Sequence, residues 1–140
     1  MIRGLAHVCF TVRDLDASEA FYRDQIGMSH AFDFINDQGV RHGVYLHAGE
    51  RTFVELFVGE PARPGGETSY RHFCLEVDDF DATVAELRGR GVELSDPTLG
   101  SDDSWQCWTA DPDGNRIELH GYTPDSRQAP WLTGEPPARP

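Results

Sequence analysis

The chain has 140 residues, enough for one domain with a buried core, and its 39% hydrophobic and 26% charged residues are ordinary for a globular protein. The formal net charge of −12 argues against a nucleic-acid interface or an anionic membrane surface, because both need a basic face. There is no long apolar stretch, no signal-peptide pattern and no disulfide framework among the three scattered cysteines, so we expect a cytoplasmic protein.

The first predicted element is a strand, because apolar and polar residues alternate in AHVCFTV at 6–12. Side chains of a strand point alternately to its two faces, so His7, Cys9 and Thr11 share one face and the apolar residues share the other. The apolar face is the one that a helix would cover. His7 is therefore expected on the open face of the sheet.

A helix is predicted next, in DLDASEAFYRDQIGM. Asp16 is the expected N-cap, because Glu19 follows it at capping-box spacing, and Gly27 is the expected end. The apolar side of this helix consists of Leu15, Ala20, Phe21 and Ile26.

Three strands are expected after the helix, at 29–35, 40–46 and 52–58, separated by the turn-forming sequences NDQG and HAGE. These elements make up a first repeat, 2–59. A linker rich in Pro and Gly follows at 60–68, and the order of elements then restarts.

In the second half, SYRHFCLEV is predicted to be a strand with His72, Cys74 and Glu76 on one face. A helix at 81–90, closed by Gly91, follows it. The order of elements up to this point, a strand and then a helix, repeats that of the first half.

A weak strand near 92–94 is expected to lead into a polar loop, DPTLGSDDS. Strands at 105–110 and 115–121 then form a hairpin around DPDG, a turn composition. The remainder, 123–140, is predicted to be an irregular tail that Trp131 anchors.

Two stretches of the sequence are nearly the same: HVCFTVRDLDA at 7–17 and HFCLEVDDFDA at 72–82. Each opens a βαβββ repeat, the second spanning 69–122. We therefore predict an α+β fold in a single domain, 1–140, with two tandem βαβββ repeats. They form a curved eight-stranded mixed sheet, a half-barrel, with the helices outside.

Four residues occupy equivalent positions in the two repeats. Glu55 lies 48 residues after His7, and Glu118 lies 46 residues after His72, each inside an otherwise apolar last strand. Two imidazoles and two carboxylates on the open face suit one divalent ion such as Ni, Zn, Co, Mn or Fe. Because such ions accept up to six ligands, positions remain for a substrate, as in a catalytic site.

The chain resembles the vicinal oxygen chelate superfamily, which contains glyoxalase I, bleomycin-resistance proteins and extradiol dioxygenases. The resemblance covers residues 2–122 and rests on HVCFTVRDLDASEAFYRDQIGM, TFVELF, SYRHFCLEVDD and DPDGNRIEL. The spacing of the metal-ligand candidates His7, Glu55, His72 and Glu118 is similar to that of the glyoxalase I branch.

The resemblance implies a metal-dependent lyase or isomerase acting on a small oxygenated substrate. In glyoxalase I a divalent ion holds two neighbouring substrate oxygens and stabilises an enediolate, while a glutamate moves a proton between adjacent carbons. Glu118 is the expected ligand and base, and Glu55 is its counterpart. The sequence departs from that branch at Thr11 and Gly59, where glutathione contacts are usual, so another substrate is open.

Three alternatives remain open. An Fe(II)-dependent dioxygenase would use His7, His72 and Glu118 as its ligand triad, and Glu55 would then occupy a position that this chemistry needs open. An enzyme similar to methylmalonyl-CoA epimerase would also abstract a proton with a metal. A drug-sequestering protein of the bleomycin-resistance type would bind its ligand without chemistry.

Further residues are expected to contact the substrate. Phe53, Phe57 and Trp105 are candidate pocket walls, Thr11 and His120 share the strand faces of the metal ligands, and Cys74 is expected as a small residue that fills the pocket. Relatives of this fold are usually dimers, so we expect a homodimer in which two metal sites lie at the interface.

Overall fold

The computed structural model describes residues 4–61 and 71–132, which form two compact units. The first consists of the described residues up to Arg71 together with Ala110–Asn115. The second consists of His72–Thr109 and the described residues from Arg116 onward. Most of the predicted linker and the end of the predicted tail lie outside the described residues.

The first unit contains a four-stranded sheet. Its strands are β1 (His7–Val12), β2 (Ser29–Ile35), β3 (Arg41–Gly49) and β4 (Thr52–Val58), in the order β1-β4-β3-β2. Strands β1 and β4 are parallel, and the other two pairs are antiparallel. A parallel pair needs a crossover between its strands, and in this unit the helical segment and β2–β3 provide it.

The helix of the first unit is α1 (Leu15–Ala20), which continues as a π-helical turn, Phe21–Ile26. Gly27 ends it with a left-handed φ of 96°, as predicted. The predicted N-cap is wrong: the side chain of Asp14, not Asp16, accepts a hydrogen bond from the Ala17 backbone at 3.0 Å.

The carboxylates of the expected capping box have another partner. Asp16 and Glu19 both pair with the guanidinium of Arg41 on β3, which Asp33 on β2 also contacts at 2.7 Å. An arginine that reaches the helix from the sheet therefore replaces the local capping interaction that the spacing suggested.

The core of the first unit lies between the helix and one face of the sheet. Tyr22 is fully buried and its hydroxyl donates to Asp111 at 3.0 Å, whereas the predicted core residue Ala20 is exposed and Ile26 is only half-buried. Leu15, Ser18 and Tyr22 follow the helical spacing i, i+3, i+7 and form the buried side, and Ala20 faces away from it. The sheet contributes the buried residues Phe10, Val12, Val44, Leu46, Val54 and Leu56.

The second unit contains the equivalent sheet. Its strands are β5 (Phe73–Glu76), β6 (Thr98–Leu99), β7 (Trp105–Ala110) and β8 (Arg116–Gly121), in the order β5-β8-β7-β6, with β5 and β8 parallel. Helix α2 (Phe80–Gly89) packs Phe80, Val84 and Leu87 inward and is capped by the Asp79 side chain.

Two expectations for the second unit are wrong. No strand forms at 92–94 among the described residues; Val92 is buried behind the end of α2, and the edge strand pairs instead at 98–99, inside the predicted loop. Trp131 does not anchor the tail. It lies in a four-residue helix, α3 (Ala129–Leu132), that buries no residue, and 58% of its surface is exposed.

The predicted α+β architecture of two βαβββ repeats is confirmed, since each unit contains one mixed four-stranded sheet and one main helix. Within the described residues, no helix has the length and apolar character needed to cross a membrane.

Candidate metal centre

The second unit brings His72 and Glu118 together. The Nε2 atom of His72 lies 3.0 Å from Oε2 of Glu118, whose side chain is 10% exposed. Apolar residues on both sides of Glu118 pack toward α2, and strand alternation therefore turns this carboxylate to the opposite face. The edge of the His72 ring contacts Trp108, with 4.8 Å between centroids.

The other carboxylate oxygen of Glu118 faces His120. Nδ1 of His120 lies 3.3 Å from Oε1 of Glu118, and Nε2 lies 3.8 Å from Oδ2 of Asp102. His120 was expected to contact substrate from the sequence, but it is 9% exposed and both of its ring nitrogens face carboxylates. Asp102 is not among the candidates predicted from the sequence, because its position depends on a loop.

Cys74 lies directly opposite Glu118 in the ladder of β5 and β8. Its sulfur, a carboxylate oxygen of Glu118 and a ring nitrogen of His120 lie within 4.8 Å of one another, a grouping that could hold a metal ion. Partial desolvation, and then the nearby carboxylates of Glu118, Asp102 and Glu76, raises the pKa of the Cys74 thiol to about 12. The thiol is thus protonated at neutral pH, as expected for a small side chain that fills space rather than a nucleophile.

The first unit places His7 and Glu55 in the same relation but further apart. Nε2 of His7 lies 3.9 Å from Oε2 of Glu55, and the His7 side chain is 43% exposed. Tyr45 on β3 lies opposite Glu55 in the ladder, and its hydroxyl lies 3.0 Å from Nδ1 of His7. A partner on Nδ1 orients the ring so that Nε2 points toward the carboxylate.

Cys9 lies opposite Glu55 in the first sheet, as Cys74 lies opposite Glu118 in the second. It pairs with Glu55 across β1 and β4, and desolvation, together with a hydrogen bond to Glu55, raises the pKa of its thiol to about 11. Each repeat therefore carries a His-x-Cys strand whose cysteine lies beside the glutamate of the last strand. The two like stretches of sequence thus occupy equivalent positions in the two sheets.

The remaining candidates of the first unit lie on the same sheet face as Glu55. Phe53 is opposite His7 and stacks on Tyr45 with 5.0 Å between ring centroids. Thr11 is opposite Phe57 at the other end of the ladder, and Phe57 packs against Phe34 at 4.8 Å. The face around the His7–Glu55 pair is therefore rich in aromatic rings.

Trp105 lies on the other face of its sheet. Its ring stacks with Phe80 of α2 at 6.3 Å, and it shares this face with the buried Cys107. Trp108, three residues further along β7, is the aromatic residue beside His72, and the guanidinium of Arg116 lies 4.4 Å from its ring centroid. Cys107 is apolar and lies between the two tryptophans in the sequence. Because side chains of a strand alternate, Trp105 shares the face of Cys107 and Trp108 lies on the opposite one, and this alternation could have identified Trp108.

The distance between the donor atoms of each His–Glu pair shows how well the pair fits a divalent ion. Two ligands bound at about 2.1 Å and at right angles lie about 3.0 Å apart, which is the separation of the His72 and Glu118 atoms. The His7 and Glu55 atoms are 3.9 Å apart, wider than that geometry. Imidazole and carboxylate together suit borderline divalent ions, so the donor atoms fit such a group.

Comparison with known proteins gives a family match over most of the chain. Residues 4–119 match the model of the Glyoxalase/Bleomycin resistance protein/Dioxygenase superfamily. The match includes both His–Glu pairs.

Individual relatives differ in what they are named for. The chain is 30% identical to metallothiol transferase FosB of Staphylococcus epidermidis over 135 residues, with 87% of this chain and 84% of that protein covered. It is similar to the structure of TnmS3, an antibiotic binding protein from Streptomyces sp. CB03234, with a TM-score of 0.71, 29% identity and coverage of 87% and 98%. It is also similar to lactoylglutathione lyase from Agrobacterium tumefaciens, with a TM-score of 0.61, 25% identity and coverage of 84% and 92%.

Proposed function

Because the chain belongs to the Glyoxalase/Bleomycin resistance protein/Dioxygenase superfamily, we propose that it is a divalent-metal-dependent enzyme of the glyoxalase I type. Its metal ligands would be His7, Glu55, His72 and Glu118. The observation that carries the proposal is the equivalence of the two pairs, since each repeat sets one imidazole beside one glutamate that lies opposite a cysteine. The ion, when bound, supplies a Lewis acid that polarises a substrate oxygen.

The protein's own contribution to the chemistry is proton transfer. Glu118 is buried, and one of its oxygens accepts a hydrogen bond from His120, so the carboxylate is held in one orientation. In that position it is the base that takes a proton from a carbon next to the polarised oxygen and returns it to the neighbouring carbon. Glu55 is its counterpart in the other repeat.

A second reaction is favoured by the similarity to metallothiol transferase FosB. Here a thiol would form a bond to a carbon of a small oxygenated substrate while the bond from that carbon to its oxygen breaks, as in an epoxide, and the thiol proton would pass to the released oxygen. Thr11 and Gly59 bear on which thiol could bind. They are neighbours in the structure, since a Cβ added at Gly59 would lie 2.9 Å from the Thr11 methyl group. Small residues at both positions make glutathione contacts of the glyoxalase I type unavailable there.

Metal analysis of the purified protein, followed by two assays, tests the proposal. We expect about one divalent ion per chain, and isomerisation of the hemithioacetal formed from methylglyoxal and a thiol, with glutathione and a smaller thiol compared. Consumption of free thiol together with an epoxide would instead support the transferase. Tight ligand binding without turnover in either assay would support the sequestering alternative, for which the similarity to TnmS3 speaks.

Glu118→Gln separates the role of base from that of ligand. The amide keeps the size of the side chain and can still bind an ion weakly, but it cannot accept the proton, so kcat should fall about 10²–10⁴-fold while most of the metal is retained. Glu93→Gln, an exposed carboxylate after α2, is the matched control and should behave like the wild type. Near-normal kcat in Glu118→Gln would contradict the assignment of the base.

The proposed enzyme is a homodimer with two metal sites. Each site would take His7 and Glu55 from one chain and His72 and Glu118 from its partner. The support for this arrangement is the glyoxalase I spacing of the four ligands in the sequence.

A further inference from the structure

The carboxylate of Glu118 is in contact with a second side chain that is not one of the proposed ligands. Nδ1 of His120 lies 3.3 Å from Oε1 of Glu118, while Oε2 faces His72. An ionised carboxylate has no proton to give, so His120 donates this hydrogen bond. The bond fixes the rotation of the carboxylate and leaves Oε2 directed at the proposed metal position.

The other side of the His120 ring faces Asp102. Nε2 of His120 is buried and has no hydrogen-bond partner among the described residues, and Oδ2 of Asp102 lies 3.8 Å away, within ion-pair distance. Buried polar atoms without a partner are rare in folded proteins and call for an explanation. The ring is thus set between two carboxylates, one on each side.

Asp102 is itself held by the segment that follows β8. The side-chain amide of Gln128 donates to Oδ2 of Asp102 at 2.6 Å, and the backbone N–H of Arg127 donates to the Asp102 carbonyl at 2.9 Å. The hydrogen bond from Gln128 is the main cause that lowers the pKa of Asp102. The carboxylate therefore keeps its charge at neutral pH.

The same segment holds the neighbours of Asp102. The Ser104 and Ser126 hydroxyls form a buried hydrogen bond of 2.8 Å, and the Thr123 hydroxyl donates to the Asp103 carbonyl at 2.7 Å. Asp103 has a φ of 62°, a conformation that a non-glycine residue adopts at an energetic cost and keeps when its surroundings hold it. Residues 123–128 thus hold the loop 102–104 in a strained shape.

We propose that Asp102 and His120 are positioning residues for Glu118, and that residues 123–128 are the clamp that keeps them in place. The proposal rests on the proposed function in that Glu118 is taken as the base. The clamp lies beyond the 4–119 range of the family match. It links a segment after the last strand to the orientation of a buried carboxylate.

The kinetic test uses variants of the residues that connect Gln128 to Glu118. His120→Ala and Gln128→Ala should each lower kcat, by about 10-fold or more for His120→Ala, with little change in KM. His120→Asn should recover part of the loss, because its side-chain amide can donate at the position of Nδ1. Although Asp125 lies within residues 123–128, its exposed side chain makes none of the hydrogen bonds described above, so Asp125→Asn is the matched control and should leave kcat unchanged.

A second readout does not depend on turnover. The visible absorption spectrum of the Co²⁺-loaded protein reports on the arrangement of the ligands, and it should change in His120→Ala and Gln128→Ala but not in Asp125→Asn. The double variant Asp102→Asn/His120→Ala should show no larger change in spectrum or kcat than His120→Ala, because both residues act through one contact. Additive effects of the two changes would overturn the proposal.

Crystal structures of the metal-free wild type and Gln128→Ala keep the test independent of the proposed function. We expect the 3.3 Å contact between His120 and Glu118 in the wild type and a longer separation in the variant. An unchanged contact and an unchanged Co²⁺ spectrum in Gln128→Ala would overturn the clamp. If the wild type bound no metal at all, the proposed function would fail, while the structures would still decide whether the clamp orients Glu118.

Discussion

At the scale of single residues, the two cysteines of the repeated motif are exposed, but their thiols have raised pKa values. Each lies beside a glutamate across a pair of parallel strands, and each thiol has a raised pKa, about 11 for Cys9 and about 12 for Cys74. Burial and negative charge both oppose formation of a thiolate. Cys74 is expected from the sequence to fill the pocket, and its raised pKa follows from partial desolvation and from the nearby carboxylates.

The raised pKa values predict slow alkylation of the metal-free protein. A pH of 8 is far below the pKa of both thiols, so iodoacetamide should modify Cys9 and Cys74 at least about 10-fold more slowly than a free cysteine. The rates should rise as the pH approaches about 11 for Cys9 and about 12 for Cys74. Peptide mass spectrometry over time measures both residues in one sample. Glu118→Gln should speed up Cys74 and leave Cys9 unchanged; modification of Cys74 at the rate of a free thiol would contradict the assignment.

Gly43 on β3 is required by its neighbour. A Cβ at this position would lie 2.6 Å from the Phe57 ring and 2.8 Å from the Leu56 carbonyl oxygen, closer than real side-chain carbons approach. Gly43→Ala should therefore reduce the free energy of unfolding by about 1–3 kcal/mol.

Gly89, at the end of α2, is the matched control for Gly43. A Cβ there would meet no atom within 4 Å, so Gly89→Ala should be neutral or stabilising by about 0.5–1 kcal/mol. Urea denaturation measures both variants, and equal effects of the two would show that the Phe57 ring moves aside.

At the scale of elements, the two main helices begin in the same way. Asp14 caps α1 and Asp79 caps α2, each with a 3.0 Å hydrogen bond to the backbone three residues later. The DLDA and DFDA stretches offer two aspartates each, and the structure uses the first of each pair. The second aspartate of the first helix, Asp16, pairs with Arg41 instead.

The two aspartates at the start of α1 should differ in their contribution to stability. Asp14→Ala removes the cap and should cost about 1 kcal/mol in the free energy of unfolding, whereas Asp14→Asn should retain most of it. Asp16→Ala removes only a surface ion pair of a highly exposed side chain and should cost less. A larger loss in Asp16→Ala than in Asp14→Ala, in urea denaturation, would contradict the observed cap.

At the scale of the whole molecule, the duplication determines how the proposed site can be assembled. Each repeat supplies one histidine and one glutamate. Four ligands therefore require both repeats, drawn either from one chain or from two.

A mixed dimer distinguishes the two arrangements. When His7→Ala chains pair with Glu118→Ala chains, shared sites place both lesions in one site and leave the other intact, so about half of the wild-type metal content and activity should remain. Sites within single chains would all carry a lesion. The two homodimers of the variants are the controls, and a metal-free, inactive mixed dimer would rule out the shared arrangement.

Local periodicity in the sequence determined most of the fold. Alternation in HVCFTV and in RIELH identified which side chains of β1 and β8 pack toward the helices and which lie on the opposite face, because strand side chains alternate strictly whatever packs on them. It therefore also identified His7, Glu55, His72 and Glu118 as candidates, and the duplicated stretch predicted two βαβββ repeats.

Only the tertiary structure decided the features that depend on distant or irregular segments. Asp16 pairs with Arg41 on β3 while Asp14 caps α1, and the buried hydroxyl of Tyr22 finds its partner in Asp111, far away in the sequence. Asp102 approaches His120 because residues 123–128 hold its loop, and loops have no period from which their position could be predicted. The sequence thus determined the faces of the strands, whose spacing is local, while long-range contacts decided which side chains meet across them.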